Sequence, residues 1–132
     1  MVVLGGVVAV IEKDGKHFMI QQALSKPFGG QWRHPGGRIE PNESPTEGAK
    51  REVKEETGMD IVVTDEHPLF VTMADYTGLY IGFFRAKCKS SELKIDKNEI
   101  ADFGWFTVKE IRKLNLMNAT KIFYEKHFNV SK

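Results

Sequence analysis

Ser44-Pro45-Thr46-Glu47 at one end and Gly58 at the other bracket the most tightly specified stretch of this chain. A serine at the cap accepts from the first free helical amides. Proline suits the first helical position, where no amide is needed, and a glutamate three residues after the cap returns a hydrogen bond to it. Glycine is the residue that most readily turns left-handed and ends a helix. The spacing therefore predicts a helix of about 13 residues. On it Glu52, Glu55 and Glu56 stand at i, i+3 and i+4 and share one face, while Ala49 and Val53 lie on another that can pack on a sheet. Glu52 and Glu56 are like charges one turn apart. Such a pair costs roughly a few tenths of a kcal/mol when exposed, and more when partly buried. Two readings follow. The acids form a solvated face balanced by Lys50, Arg51 and Lys54, or they gather around a divalent cation. Oxygen-only ligands would make that cation Mg²⁺ or Mn²⁺.

The rest of the chain alternates strand-like and helical stretches. Val7 to Ile11 is rich in β-branched residues, Asp14-Gly15 marks a tight hairpin, and His17 to Ala23 reads as the returning strand. Lys26 to Gly37 is rich in glycine and proline and reads as a loop. Ile61 to Ala74 and Leu79 to Cys88 read as two strands with a turn at Asp75 to Gly78, and Ser90 to Asn98 as a polar loop. Thr107 to Leu114 and Ala119 to Phe128 read as helices, the first opened by the capping-box spacing of Thr107 and Glu110. The expected fold class is α/β (α+β), a mixed β-sheet sandwiched between α-helices in one domain over residues 1–132.

Charge and cysteine content narrow the function classes. The formal net charge is +1, so binding of a nucleic acid polymer by bulk charge is disfavoured, and phosphate chemistry must come from local placement. The single cysteine, Cys88, cannot form an internal disulfide and reads as structural. The apolar run Met1 to Ile11 is too short to span a bilayer, and it lacks a basic start and a cleavage site. It reads as a buried strand of a cytoplasmic protein without membrane partners.

Gly37, Glu43 and the run Arg51-Glu52-Val53-Lys54-Glu55-Glu56-Thr57-Gly58-Met59 then settle the choice between the two readings of the acidic face. Their spacing resembles the Nudix box over residues 37–59 at every defined position. At average residue frequencies of about 7%, a chance match is on the order of one in a million. The order of strands and helices also resembles the Nudix fold along almost the whole chain. The resemblance implies hydrolysis of a nucleoside diphosphate linked to another group, with Mg²⁺ or Mn²⁺ as cofactor. It makes Glu55 and Glu56 the main metal-binding glutamates, and Glu52 a metal ligand or the base that activates water. It gives the Gly36 carbonyl to the metal and makes Arg51 and Glu43 a structural pair, with Gly37 and Gly58 as structural positions of the box.

Outside the box, Glu99 is the candidate for a further catalytic acid, with Asp96 its rival; as a plain loop acid it would do nothing. His34 stands before Pro35 where relatives usually carry an apolar residue, so it marks a substrate contact or an altered loop. Trp32 offers a ring for stacking on a base or for packing. Asn118 lies near the place where MutT-type relatives read a purine, and helix capping explains it equally well. For the substrate, the compact chain resembles MutT-type enzymes that cut a nucleoside triphosphate to the monophosphate and pyrophosphate. ADP-ribose enzymes tend to carry a proline where this chain has Asp75, and Pro68 comes too early. Diadenosine polyphosphate hydrolases tend to carry a tyrosine where this chain has Tyr76. The competing class is a non-catalytic nucleotide-binding sensor, although such relatives usually lose a box acid and this box keeps all of them. An interaction module without nucleotide leaves Gly37 and Arg51 unexplained. The expected partner is a small nucleotide, and a homodimer is compatible with the resemblance.

Overall fold

The computed structural model describes residues 3–74, 78–90 and 92–128. Strand β1 (Leu4–Lys13) is central. It pairs antiparallel with β4 (Gly36–Arg38) through Gly6, Val7 and Val8, and parallel with β7 (Tyr80–Ser90) from Leu4 to Ile11. Its far end turns through Asp14 and Gly15, both at positive φ (52° and 75°), into β2 (Lys16–Gln22). Positive φ at both turn residues is the geometry that Asp-Gly favours. β2 also pairs with β3 (Trp32–Arg33) and β8 (Ile100–Phe106), while β7 pairs with β5 (Asp60–Val63) and β6 (Phe70–Met73).

Both faces of this mixed sheet are covered, which is why the first strand reads as an unbroken apolar run. Ala9, Ile11, Phe18 and Ile20 point to one cluster with Val53 of helix α1 (Pro45–Thr57). Their neighbours Val10 and Met19 point to the opposite cluster, with Ile111 of α2 (Val108–Ile111) and Phe123 and Tyr124 of α3 (Asn118–Lys126). Helices thus flank the sheet, as the fold class requires. Cys88 is half-buried against the first cluster and free.

Several boundaries differ from expectation. The stretch Lys26 to Gly37 is not wholly loop: Trp32–Arg33 and Gly36 onward add short strands, because β1 and β2 leave backbone donors and acceptors for them. Ile61 to Ala74 is two strands, β5 and β6, which pair with different halves of β7. Ile100–Phe106 is a strand without clear alternation, because Ala101, Asp102 and Phe103 are exposed in succession, on both faces. The helix after Thr107 keeps its capping box but ends at Ile111, and the cap of α3 is Met117, leaving Asn118 as its first helical residue. The proposed turn residues Asp75 and Tyr76 lie outside the described residues.

Candidate active site

Helix α1 forms as its ends prescribe. The Ser44 side chain accepts from the Glu47 amide and Glu47 accepts from the Ser44 amide, while Gly58 closes the helix at φ 79°. The helix lies with Ala49 and Val53 against the sheet, which turns its acidic face toward β4 and the loop before it.

Glu56 is the most buried of the three acids, 8% exposed. The Gly36 amide donates to its Oε1 at 2.9 Å, and the Arg33 guanidinium donates to its Oε2 at 2.9 Å. Arg33 is held in turn by Gln22 Oε1 at 3.0 Å and by the carbonyl of His34 at 3.1 Å. Arg33 stands immediately before the turn that carries the box glycines, but nothing in its spacing announced this contact 23 residues away. The pairing of β3 with β2 and the packing of α1 on the sheet bring the two together.

Glu52 lies against Gly37. A Cβ on Gly37 would sit 2.4 Å from a Glu52 carboxylate oxygen, so the glycine makes room for the acid. Burial, then the charge of Glu56, push the Glu52 carboxyl above its ordinary value, partly offset by Arg51. Glu55 is more exposed and meets Arg51 at 3.2 Å. Arg51 is the hub. Its Nε donates to Glu43 Oε2 at 2.7 Å, its Nη2 to Glu43 Oε1 at 3.0 Å and to the Arg38 carbonyl at 2.9 Å, and its Nη1 to Glu52 at 3.3 Å. The hydrogen bonds from Arg51 hold the Glu43 carboxyl below its usual range. Glu43 also accepts from the Glu40 amide at 2.9 Å, which closes the loop before the helix. A two-toothed guanidinium–carboxylate pair fixes direction as well as distance.

The donors around this face are carboxylates and the Gly36 carbonyl. That oxygen-only set fits a hard divalent cation, and the like charge of Glu56 adds to burial in holding the Glu52 carboxyl up. Among the described residues no three acidic, histidine or cysteine side chains converge into a ready-made cage, because Arg51 draws on Glu52 and Glu55 while Arg33 draws on Glu56.

A cleft of about 250 Å³ opens beside the face, bordered by Gln22, Arg33, Gly36, Gly37, Arg38 and Glu99, with Ile81 and Phe83 among its apolar residues. Glu99 borders it with its carboxylate paired to Lys26 at 3.1 Å. Asp96 instead serves its own loop: its Oδ1 accepts from the Asn98 amide at 3.1 Å, and its amide donates to the Glu56 carbonyl at 2.9 Å. Asn118 is exposed between Met117 and Ala119, both of which line the cleft. Tyr76 is outside the described residues.

Trp32 and His34, each open to a substrate contact or to a local packing role, are both buried. The Trp32 ring is buried and meets Phe106 edge-on at 5.3 Å, so its faces are taken by packing. His34 is 0% exposed. Its Nε2 and the Nδ1 of His17 both lie 2.6 Å from the Tyr124 hydroxyl. Glu12 faces His17 Nε2 at 3.4 Å, a carboxylate that favours a proton on that nitrogen. Tyr124 then donates to His17 Nδ1 and accepts from His34 Nε2–H, leaving His34 Nδ1 a bare, unpartnered lone pair. A polar relay thus anchors the loop that carries the box glycines to α3.

This relay predicts acid sensitivity. Burial lowers the pKa of both His34 and His17, so the unfolded chain binds protons that the folded chain refuses. Stability is fully present above about pH 6.5, the ordinary histidine value, and is lost as the pH falls below it toward the folded values, at up to about 1.4 kcal/mol per pH unit for each proton. Thermal melts at pH 7.5 and 5.5 should show the drop, and His34→Leu should flatten it. An unchanged midpoint would contradict the neutral relay.

The two glycines of the turn make a second, local prediction. A Cβ on Gly36 would lie 2.1 Å from the Val7 carbonyl, whereas a Cβ on Gly37 meets the movable end of Glu52. Gly36→Ala should therefore cost about 1–3 kcal/mol of stability. Gly37→Ala should melt near wild type yet lose about tenfold or more in turnover by displacing Glu52. Equal melting losses in the two variants would refute the distinction.

Comparison with known proteins agrees with this geometry. The family model for the NUDIX domain matches residues 4–126. The chain is 30% identical over 123 residues to the nucleoside triphosphatase NudI of Salmonella agona, covering 85% of this chain and 87% of that protein. It is 39% identical over 57 residues to the CTP pyrophosphohydrolase of Escherichia coli, covering 43% of this chain and 42% of that protein. Among solved structures it resembles a MutT NUDIX hydrolase from Burkholderia pseudomallei, with a TM-score of 0.72, 25% identity, and coverage of 92% of this chain and 95% of that one. A glycine that makes room for Glu52, another whose amide holds Glu56, two arginines that fix the acids, and a family match over nearly all of its length establish that the chain belongs to the Nudix family of hydrolases.

Proposed function

We propose that the chain hydrolyses a nucleoside triphosphate to the monophosphate and pyrophosphate with Mg²⁺ as cofactor. The observation that carries the reading is the half-buried carboxyl of Glu52, lying against Gly37 beside the cleft and pushed upward by burial. Nudix hydrolases in general use divalent cations. In this chain Glu52, Glu55, Glu56 and the Gly36 carbonyl are the residues that would hold one. When bound, the cation lowers the pKa of a water and offsets charge on the phosphoryl oxygens.

The chain's own residues supply the rest. Glu52 accepts the proton of the attacking water, since a carboxyl with an elevated pKa is the better base. Arg51, locked on Glu43, keeps Glu52 and Glu55 in place. Gly36 directs Glu56 through its amide. Arg33 and Arg38 border the cleft and offer positive charge to a phosphate chain, while Ile81 and Phe83 offer apolar surface to the nucleoside. Glu99 is positioned to contact the substrate or its water from the same cleft. The triphosphate preference is supported by the relatives named for triphosphate and CTP hydrolysis. Among the described residues no helix is long and apolar enough to cross a membrane, and we place the activity in the cytoplasm, where a lone thiol is unremarkable.

The test is release of pyrophosphate from a panel of nucleoside triphosphates, an oxidised guanine triphosphate included, with Mg²⁺ and then with chelator. Metal-dependent pyrophosphate release supports the reading. Turnover of only ADP-ribose or a diadenosine polyphosphate keeps the hydrolase and overturns the substrate. Binding without turnover makes the chain a sensor.

A further inference from the structure

We propose that Arg33 is an exchangeable counter-ion: it neutralises Glu56 while no metal is bound, yields that carboxylate to an incoming divalent cation, and then serves as a phosphate contact. The inference rests on the reading of Glu56 and the Gly36 carbonyl as metal donors. Arg33 touches both. Its Nη2 meets Glu56 at 2.9 Å and its Nη1 meets the Gly36 carbonyl at 3.5 Å. The pair is well shielded, at 15% and 10% side-chain exposure, so its charges are weakly screened.

A purely structural role explains less. Glu56 is already directed by the Gly36 amide on its other oxygen and does not need a second donor to aim it. A fixed positive charge against a metal donor also opposes the metal. The charge makes sense where it has another partner to turn to, and Arg33 borders the cleft proposed for the nucleotide, with Gln22 Oε1 and the two loop carbonyls as its other partners among the described residues. The guanidinium fork suits phosphate oxygens as well as it suits a carboxylate.

The experiment titrates Mn²⁺ alone into metal-free wild type, Arg33→Gln, Arg33→Met and Glu56→Gln, by calorimetry and by the electron-spin signal of free Mn²⁺. Inorganic triphosphate is then titrated at saturating Mn²⁺. Arg33→Gln and Arg33→Met should bind Mn²⁺ about tenfold more tightly than wild type, because a like charge has been removed. Both should bind inorganic triphosphate about tenfold more weakly. Looser or unchanged Mn²⁺ binding in the Arg33 variants, or unchanged triphosphate binding, would overturn the proposal. Thermal melting shows which of the two variants is folded, and either suffices. Wild-type Mn²⁺ affinity in folded Glu56→Gln would instead remove Glu56 from the metal site, a failure distinct from that of Arg33.

Discussion

Glu52→Gln should lower turnover at least about a hundredfold while leaving the fold intact, the scale on which a lost general base is felt. The substitution is isosteric, so the contact with Gly37 survives it. It removes a carboxylate that burial and Glu56 both disfavour in its charged form, so stability has little to lose. What disappears is the proton acceptor and one oxygen donor beside the cleft. Initial rates of pyrophosphate release, set beside thermal melts of the same preparations, measure both halves. A folded variant with near-normal turnover would take Glu52 out of the chemistry.

Phe123→Ala should cost about 3–5 kcal/mol of stability, the range for truncating a fully buried phenylalanine. The ring is 0% exposed and stacks on Phe83 at 4.5 Å with an interplanar angle of 10°. It also meets Tyr124 at 5.0 Å and His34 at 5.5 Å, so the cavity would open beneath the polar relay and behind a residue that borders the cleft. Urea unfolding followed by fluorescence gives the difference directly. A loss below about 1 kcal/mol would mean that α3 collapses into the space, and that the cluster is far looser than its contacts indicate.

The helix and its acids were legible because they are local. Capping, the i, i+4 spacing and the left-handed glycine are each decided within a turn or two of the chain, and α1 runs as its end signals require. The hairpin at Asp14-Gly15 and the apolar, β-branched run of β1 are legible for the same reason. Short edge elements were not. β3 and β4 carry too few residues for any period to show, and they exist because a longer strand offers them free hydrogen-bonding groups. The same limit hid the split between β5 and β6, since each reads as apolar strand and only their pairing with opposite ends of β7 separates them.

The site divides along the same line. The sequence by itself determined that three carboxylates would share one helix face, that Glu43 and Arg51 belong with them, and that glycines must precede them, because helical periodicity and the box spacing are properties of the linear chain. Only the tertiary structure decided that Arg33 would hold Glu56, that Gly37 would yield space to Glu52, and that His34 would turn inward to Tyr124 rather than out to a ligand. Those pairings depend on how β1 receives β4 on one side while α3 covers the sheet on the other. No spacing rule encodes a contact between side chains brought together by separate elements; burial and hydrogen-bond satisfaction select it once the sheet has formed.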